Sequence, residues 1–121
     1  MDFSLALDHT QLAIPPDGET LADSFYVDIL GFEVLEKPPL LALRRGRWYQ
    51  HGPVSLHLGV DPDFVPSNKS HIALRVTNYE ALLARLEEHG VATQPNDEIA
   101  GVTRCYVRDP FLNRLELIAS K

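Results

Sequence analysis

Polar and apolar residues alternate along residues 70–76, with Ile72, Leu74 and Val76 on one side and His71, Ala73 and Arg75 on the other. A period of two is that of a half-buried strand. The same pattern opens the chain over residues 7–14, where Leu12 and Ile14 oppose His9, Gln11 and Ala13. Pro15-Pro16-Asp17-Gly18 breaks that strand, because proline cannot donate to a ladder and Asp-Gly favours a turn. Leu21, Phe25 and Ile29 then recur every fourth residue beside Ala22, Tyr26 and Leu30, which predicts an amphipathic helix over 19–30. Gly31 follows in the place of a left-handed terminator. Strands are expected over 32–36, 40–45 and 54–59, while 46–52 reads as a turn or as the end of a hairpin.

The second half repeats the plan. After the strand over 70–76 comes a helix over 79–89, with Leu82, Leu83 and Leu86 on its apolar face. Thr77 and Glu80 match the Thr-x-x-Glu capping box, with Thr77 as the N-cap, and Gly90 closes the helix. A short strand at 91–93, a loop over 94–101 and strands over 102–108 and 114–119 complete the half, the last two joined at Asp109-Pro110. His9 to Gly31 spans 22 residues and His71 to Gly90 spans 19; Gly31 to His57 and Gly90 to Glu116 span 26 each. Each half therefore reads strand, helix, three strands. The expected fold is α+β, with two βαβββ modules over about 5–60 and 70–121. They form a single domain over 1–121, joined by a linker over about 61–69, with the helices on the outer face of a cupped mixed sheet.

Side chains alternate across a strand, so the strongest strands sort into two faces. Leu12, Ile14, Leu56, Leu58, Ile72, Leu74, Val76, Leu115 and Leu117 make an apolar face that the helices can cover. The other face carries His9, Gln11, Ser55, His57, His71, Arg75, Arg114 and Glu116, with three of the five histidines and no lysine. A solvated face would carry scattered Lys, Glu, Thr and Ser; a concave face of this kind makes a polar cavity suited to a ligand. His9, His57, His71 and Glu116 lie on the first and last strands of each module, and a two-fold repeat brings them together. Three imidazoles and a carboxylate suit a divalent transition metal (zinc, nickel, cobalt, iron or manganese). Such a set leaves open positions for water or substrate. Taken singly, each is explained as a solvated or structural side chain; the shared face and matched spacing make the set.

Arg75 and Arg114 either hold a substrate carboxylate or phosphate through paired hydrogen bonds or pair with surface acids. Gln11 and Arg104 are further substrate-binding candidates, and Tyr106 and Trp48 are candidates for the wall. Cys105 is expected to be a buried structural thiol.

Composition narrows the class. The 121 residues are 45% hydrophobic and 23% charged, enough for one core. A net charge of −6 argues against a nucleic-acid partner. One cysteine excludes an intrachain disulfide and fits a reducing compartment. No apolar run approaches the roughly 18 residues of a membrane span. The first seven residues lack the basic and apolar regions of a signal peptide. A cytoplasmic protein with no membrane partner is expected.

Four stretches carry a family resemblance: Leu7-Asp8-His9; Phe25-Tyr26 with Leu30-Gly31-Phe32; Ser70-His71-Ile72-Ala73; and Asp109-Pro110-Phe111-Leu112-Asn113-Arg114-Leu115-Glu116. The chain resembles the vicinal oxygen chelate superfamily of glyoxalase I, bleomycin-resistance proteins, fosfomycin-resistance enzymes, methylmalonyl-CoA epimerase and extradiol dioxygenases. The resemblance implies paired βαβββ modules in a cupped sheet, a homodimer, and metal ligands where His9, His57, His71 and Glu116 stand. His57 departs in type, since the family commonly has Glu or Gln there. Leu112 departs where the family usually has Gly in Asp-Pro-x-Gly-Asn; Asn113 beside it can also accept a left-handed backbone.

The expected function is a glyoxalase-like, metal-dependent lyase or isomerase on a small oxygen-bearing substrate, with Glu116 as the catalytic proton shuttle. A metal-free, drug-sequestering protein of the bleomycin-resistance type is the alternative, and an extradiol-type dioxygenase a further one. No motif assigns glutathione.

Overall fold

A computed structural model describes residues 1–121. The order is β1 (Thr10–Ile14), α1 (Glu19–Tyr26), β2 (Glu33–Leu35), β3 (Arg47–His51), β4 (Val54–Val60), β5 (His71–Val76), α2 (Tyr79–Glu88), β6 (Gln94–Asn96), β7 (Arg104–Arg108) and β8 (Arg114–Ala119). Two four-stranded mixed sheets result, ordered β1-β4-β3-β2 and β5-β8-β7-β6. They are open and cupped, and each is one βαβββ module. In both, the first strand lies parallel to the last and the others are antiparallel.

The apolar face forms the core. Ile14, Leu56, Leu58, Leu115 and Leu117 are buried with Ala22, Phe25 and Tyr26 of α1 and Tyr79 and Leu86 of α2, in one cluster of 15 residues spanning both modules. Cys105 is buried in it as a free thiol, and burial pushes its pKa up. Leu12, Ile72, Leu74 and Val76 pack against the cluster only partly buried. No helix is long and apolar enough to cross a membrane.

Several boundaries differ from the pattern-based expectation. β1 begins at Thr10 and not at residue 7: its neighbour β4 begins at Val54, and Thr10 already stands opposite Leu56, so residues before Asp8 have no strand to pair with. The α-helical part of α1 ends at Tyr26; the next turn widens, with Asp28 N–H on the Asp23 carbonyl and Leu30 N–H on the Phe25 carbonyl. Residues 40–45 are not a strand. Pro38 and Pro39 supply carbonyls but no donors, and Leu41 N–H turns back to Pro38 O at 2.8 Å. The strand is Arg47–His51 instead. In module two the strand lies at Gln94–Asn96 and not at 91–93, because Val91 closes α2: its N–H reaches Leu86 O at 2.9 Å while Gly90, at φ +73°, donates to Glu87 O. That is a Schellman ending. Thr77 is not the cap; Asn78 takes that place in the left-handed region, with no side-chain cap bond.

A polar clasp joins the modules. Asp109, 3% exposed, accepts at Oδ1 from the N–H groups of Phe111 and Asn113 (2.9 and 2.8 Å) and at Oδ2 from the Tyr26 hydroxyl (2.7 Å). Asn113 Nδ2 donates to Asp109 Oδ2 and, across the modules, to Ala13 O at 2.9 Å. Burial, then the Asp109 charge, pushes the Tyr26 pKa well up, so the phenol stays a donor. Arg85 of α2 adds a bond to Ile29 O. The Asp-Pro turn thus serves assembly. Within it Leu112, not Asn113, takes the left-handed conformation, at φ +72°.

Candidate active site

The two parallel ladders place equivalent residues at equivalent points. Gln11 stands opposite His57, so His9, just ahead of β1, lies two residues before the level of His57. His71 stands opposite Arg114, two residues before Glu116 on β8. An aromatic residue on the next strand faces each second position: Trp48 opposite His57 and Tyr106 opposite Glu116. The polar face therefore holds two half-sites on one frame, His9–His57–Trp48 and His71–Glu116–Tyr106.

The first is a stack. The His9 and His57 rings lie 4.1 Å apart with planes 17° from parallel, and Trp48 covers His57 at 4.3 Å and 9°. His9 Nδ1 pairs with Asp8 Oδ2 at 2.8 Å. Burial, then the neighbouring His9, lowers the His57 pKa, which favours the neutral imidazole. Gln11 lies across Gly59, where a Cβ would come within 2.6 Å of Gln11 Nε2.

The second is a hydrogen-bonded network. His71 Nε2 lies 3.0 Å from Glu116 Oε1 while its Nδ1 meets Lys69 O at 2.8 Å. Arg104 donates to Glu116 Oε2 at 3.1 Å, to the Tyr106 oxygen at 3.1 Å and to Asn96 Oδ1 at 2.8 Å. Glu116 is 7% exposed, a buried carboxylate held by charge-assisted bonds. Arg104 Nε is buried without a partner. Arg114 lies 3.7 Å over the Tyr106 ring and donates to Asn68 O.

A cleft of about 870 Å³ opens on the first half-site, lined by His9, Gln11, Trp48 and His57. A smaller hollow of about 360 Å³ is shared by His9 and His71. Arg75 lies elsewhere, in a hollow with Leu74, Thr77 and Leu82. The sequence reading missed Lys37, Arg44 and Arg45, which line the large cleft; basic residues crowded over 37–47 in an acidic chain were the available signal.

The four expected ligands stand as two pairs, and no three His, Cys, Asp or Glu side chains are close enough to hold a metal together. Their chemistry nonetheless fits a divalent transition ion. His9 and His71 each engage Nδ1 with an oxygen acceptor, an outer-shell arrangement in which Nε2 would be the atom to ligate an ion. A separation of 3.0 Å between His71 Nε2 and Glu116 Oε1 suits two neighbouring ligands with bonds of about 2.1 Å.

The Glyoxalase/Bleomycin resistance protein/Dioxygenase superfamily model matches residues 6–117. The chain belongs to that superfamily. A glyoxalase family protein from Bacillus anthracis is 32% identical and superposes with a TM-score of 0.94 over 100% of this chain and 99% of its own. A glyoxalase family protein from Enterococcus faecalis is 25% identical, at a TM-score of 0.74 over 93% and 96%. The fold is also that of the fosfomycin resistance protein FosX from Listeria monocytogenes, solved as a variant with Mn(II) and dihydroxypropylphosphonic acid, at 16% identity and a TM-score of 0.79 over 98% and 95%. No functionally curated protein matches.

Proposed function

We propose that the chain is a divalent-metal-dependent enzyme of lyase or isomerase type acting on a small oxygen-bearing substrate. The observation that carries this reading is the prepared donor pair of module two, His71 with Nδ1 held by Lys69 O and Nε2 beside Glu116 Oε1. His9, His57, His71 and Glu116 would hold the ion, and bound there it would polarise a substrate oxygen and lower the pKa of a neighbouring water or acid. The Mn(II) of FosX is in keeping with this donor set. Glu116, steered by Arg104 on Oε2 and His71 on Oε1, is the carboxylate placed to take up and return a proton. Arg104 fixes its direction, and Trp48 with His57 offers a flat wall for the substrate. We further propose a cytoplasmic homodimer.

Metal analysis of the purified protein tests the reading. About one ion per chain is expected, lost in His71→Ala. Failure to take up zinc, nickel, cobalt, iron or manganese under titration overturns it. A second reading, a metal-free binder of planar molecules, draws on the Trp48–His57–His9 stack. It prevails if His9→Ala and Glu116→Ala leave ligand affinity intact.

A further inference from the structure

The connection from β2 to β3, residues 36–46, forms one wall of the large cleft through Lys37, Leu41, Arg44 and Arg45. Its shape is fixed from within. Lys37 Nζ donates to the carbonyls of both Arg44 and Arg45 at 3.0 Å, so the ammonium holds the backbone that presents the two arginines. At the far end Gly46 has φ +108°, and a Cβ there would come within 2.1 Å of Leu58 O; no other residue fits. Gly46 N–H donates to Glu19 Oε2 at 3.2 Å. Burial pushes the Glu19 carboxyl up, but the N–H groups of Glu19 and Gly46 and the charges of Arg45 and Arg47 outweigh it, leaving it lowered.

The charge balance here runs against that of the chain. The chain carries 17 acidic and 11 basic residues. The cleft wall carries Lys37, Arg44 and Arg45 against a single acid, Asp8, which is already engaged by His9. Nearby Arg47 is neutralised by Asp23, with its Nε 3.1 Å from Oδ1. Neither Arg44 nor Arg45 has a side-chain hydrogen bond or ion pair within the chain. Two guanidiniums without hydrogen bonds inside the chain, carried on a braced loop, offer donors for an oxyanion, with Glu19 acting on Arg45 only through its charge, and a cleft rich in one sign concentrates ligands of the other.

We infer that this loop is a specificity element: the cleft takes a small organic oxyanion, a carboxylate or phosphate monoester, whose charged end lies on Arg44 and Arg45 while its body reaches the His57–Trp48 wall. The inference rests on the cleft being the substrate site, and its test is independent of the metal.

Trp48 is the only tryptophan and lines the cleft, so its fluorescence reports occupancy. The full-length protein, freed of metal and desalted, is titrated at about 0.01 M ionic strength, where the Debye length is about 30 Å. The probes are phenyl phosphate, phenylacetate and the neutral phenylacetamide. At least one anion should bind about tenfold or more tighter than the amide, and which one identifies the oxyanion. Arg44→Gln/Arg45→Gln should remove that advantage and its salt dependence, while Arg44→Lys/Arg45→Lys, checked for folding by circular dichroism, should keep the salt dependence and only part of the advantage. Equal binding of amide and anions, or an anion preference that survives in the glutamine variant, overturns the inference. Because metal is absent throughout, failure here is distinct from failure of metal uptake by the untreated protein.

Discussion

The two half-sites occupy equivalent positions in duplicated sheets and differ in what holds them. In module one, His9, His57 and Trp48 are held by ring stacking beside an open cleft. In module two, Glu116 is buried and both its oxygens are engaged, by His71 and Arg104. Stacking leaves a histidine free to turn its ring edge, whereas a charge-assisted network fixes its donors before anything binds. The duplicated backbone thus gives one adaptable half and one preset half. The cleft opens on the adaptable half.

Variants can break this contrast. Glu116→Ala has the largest expected effect: metal uptake by the purified protein falls more than about 100-fold, beyond what loss of an outer-shell partner causes, and the melting temperature falls because Arg104 is left facing an empty site. Calorimetric metal titration and a thermal melt check both. Arg104→Gln comes next, with about 10–100-fold weaker metal binding as the Glu116 carboxylate loses its brace; equal binding would show that module two is not preset. Leu112→Gly should raise stability by about 0.5 kcal/mol. It relieves a left-handed non-glycine residue costing about 1–2 kcal/mol against the roughly 0.4–1 kcal/mol that glycine adds to unfolded-chain entropy. Leu112 is 58% exposed, so the packing lost is that of the buried remainder of its side chain, and denaturant titration measures the net.

The smallest effect concerns pH. The His57 pKa is lowered by burial and then by His9 from an ordinary 6.5. Below that value the unfolded chain takes up a proton that the folded chain declines, so stability rises with pH across this range and is lost as pH falls. His57→Gln removes that contribution, and melts of both proteins above and below pH 6.5 should show a shallower acid loss in the variant.

Alternation and helical period made most of the fold legible, because β1, β4, β5 and β8 each put an apolar row toward the core and a polar row on the opposite face. The strand Arg47–His51 escaped this reading for a physical reason. Trp48 faces the cleft and Tyr49 the core, so both faces take a large aromatic and no polar alternation remains. Gln94–Asn96 pairs through its backbone with β7 and carries no apolar residue to mark it. The shared face and matched spacing of the four proposed ligands were visible only as a set. Their arrangement as two pairs was not legible, since it depends on rotamers that Trp48 and Arg104 impose from other strands. The Arg44–Arg45 wall was hidden because residues 40–45 read as a strand, while their fold is set by a lysine on their own carbonyls.

The clasp of Tyr26, Asp109, Asn113 and Ala13 bears on how the chain can be cut. It and the shared core join the halves through contacts that do not involve residues 61–69, while that connection packs Phe64 against Phe111 and lends the carbonyls of Ser67, Asn68 and Lys69 to Arg108, Arg114 and His71. A single proteolytic nick there should leave the two fragments associated under native conditions and separable only by denaturant. A circularly permuted chain opened at the same place should fold as the parent does.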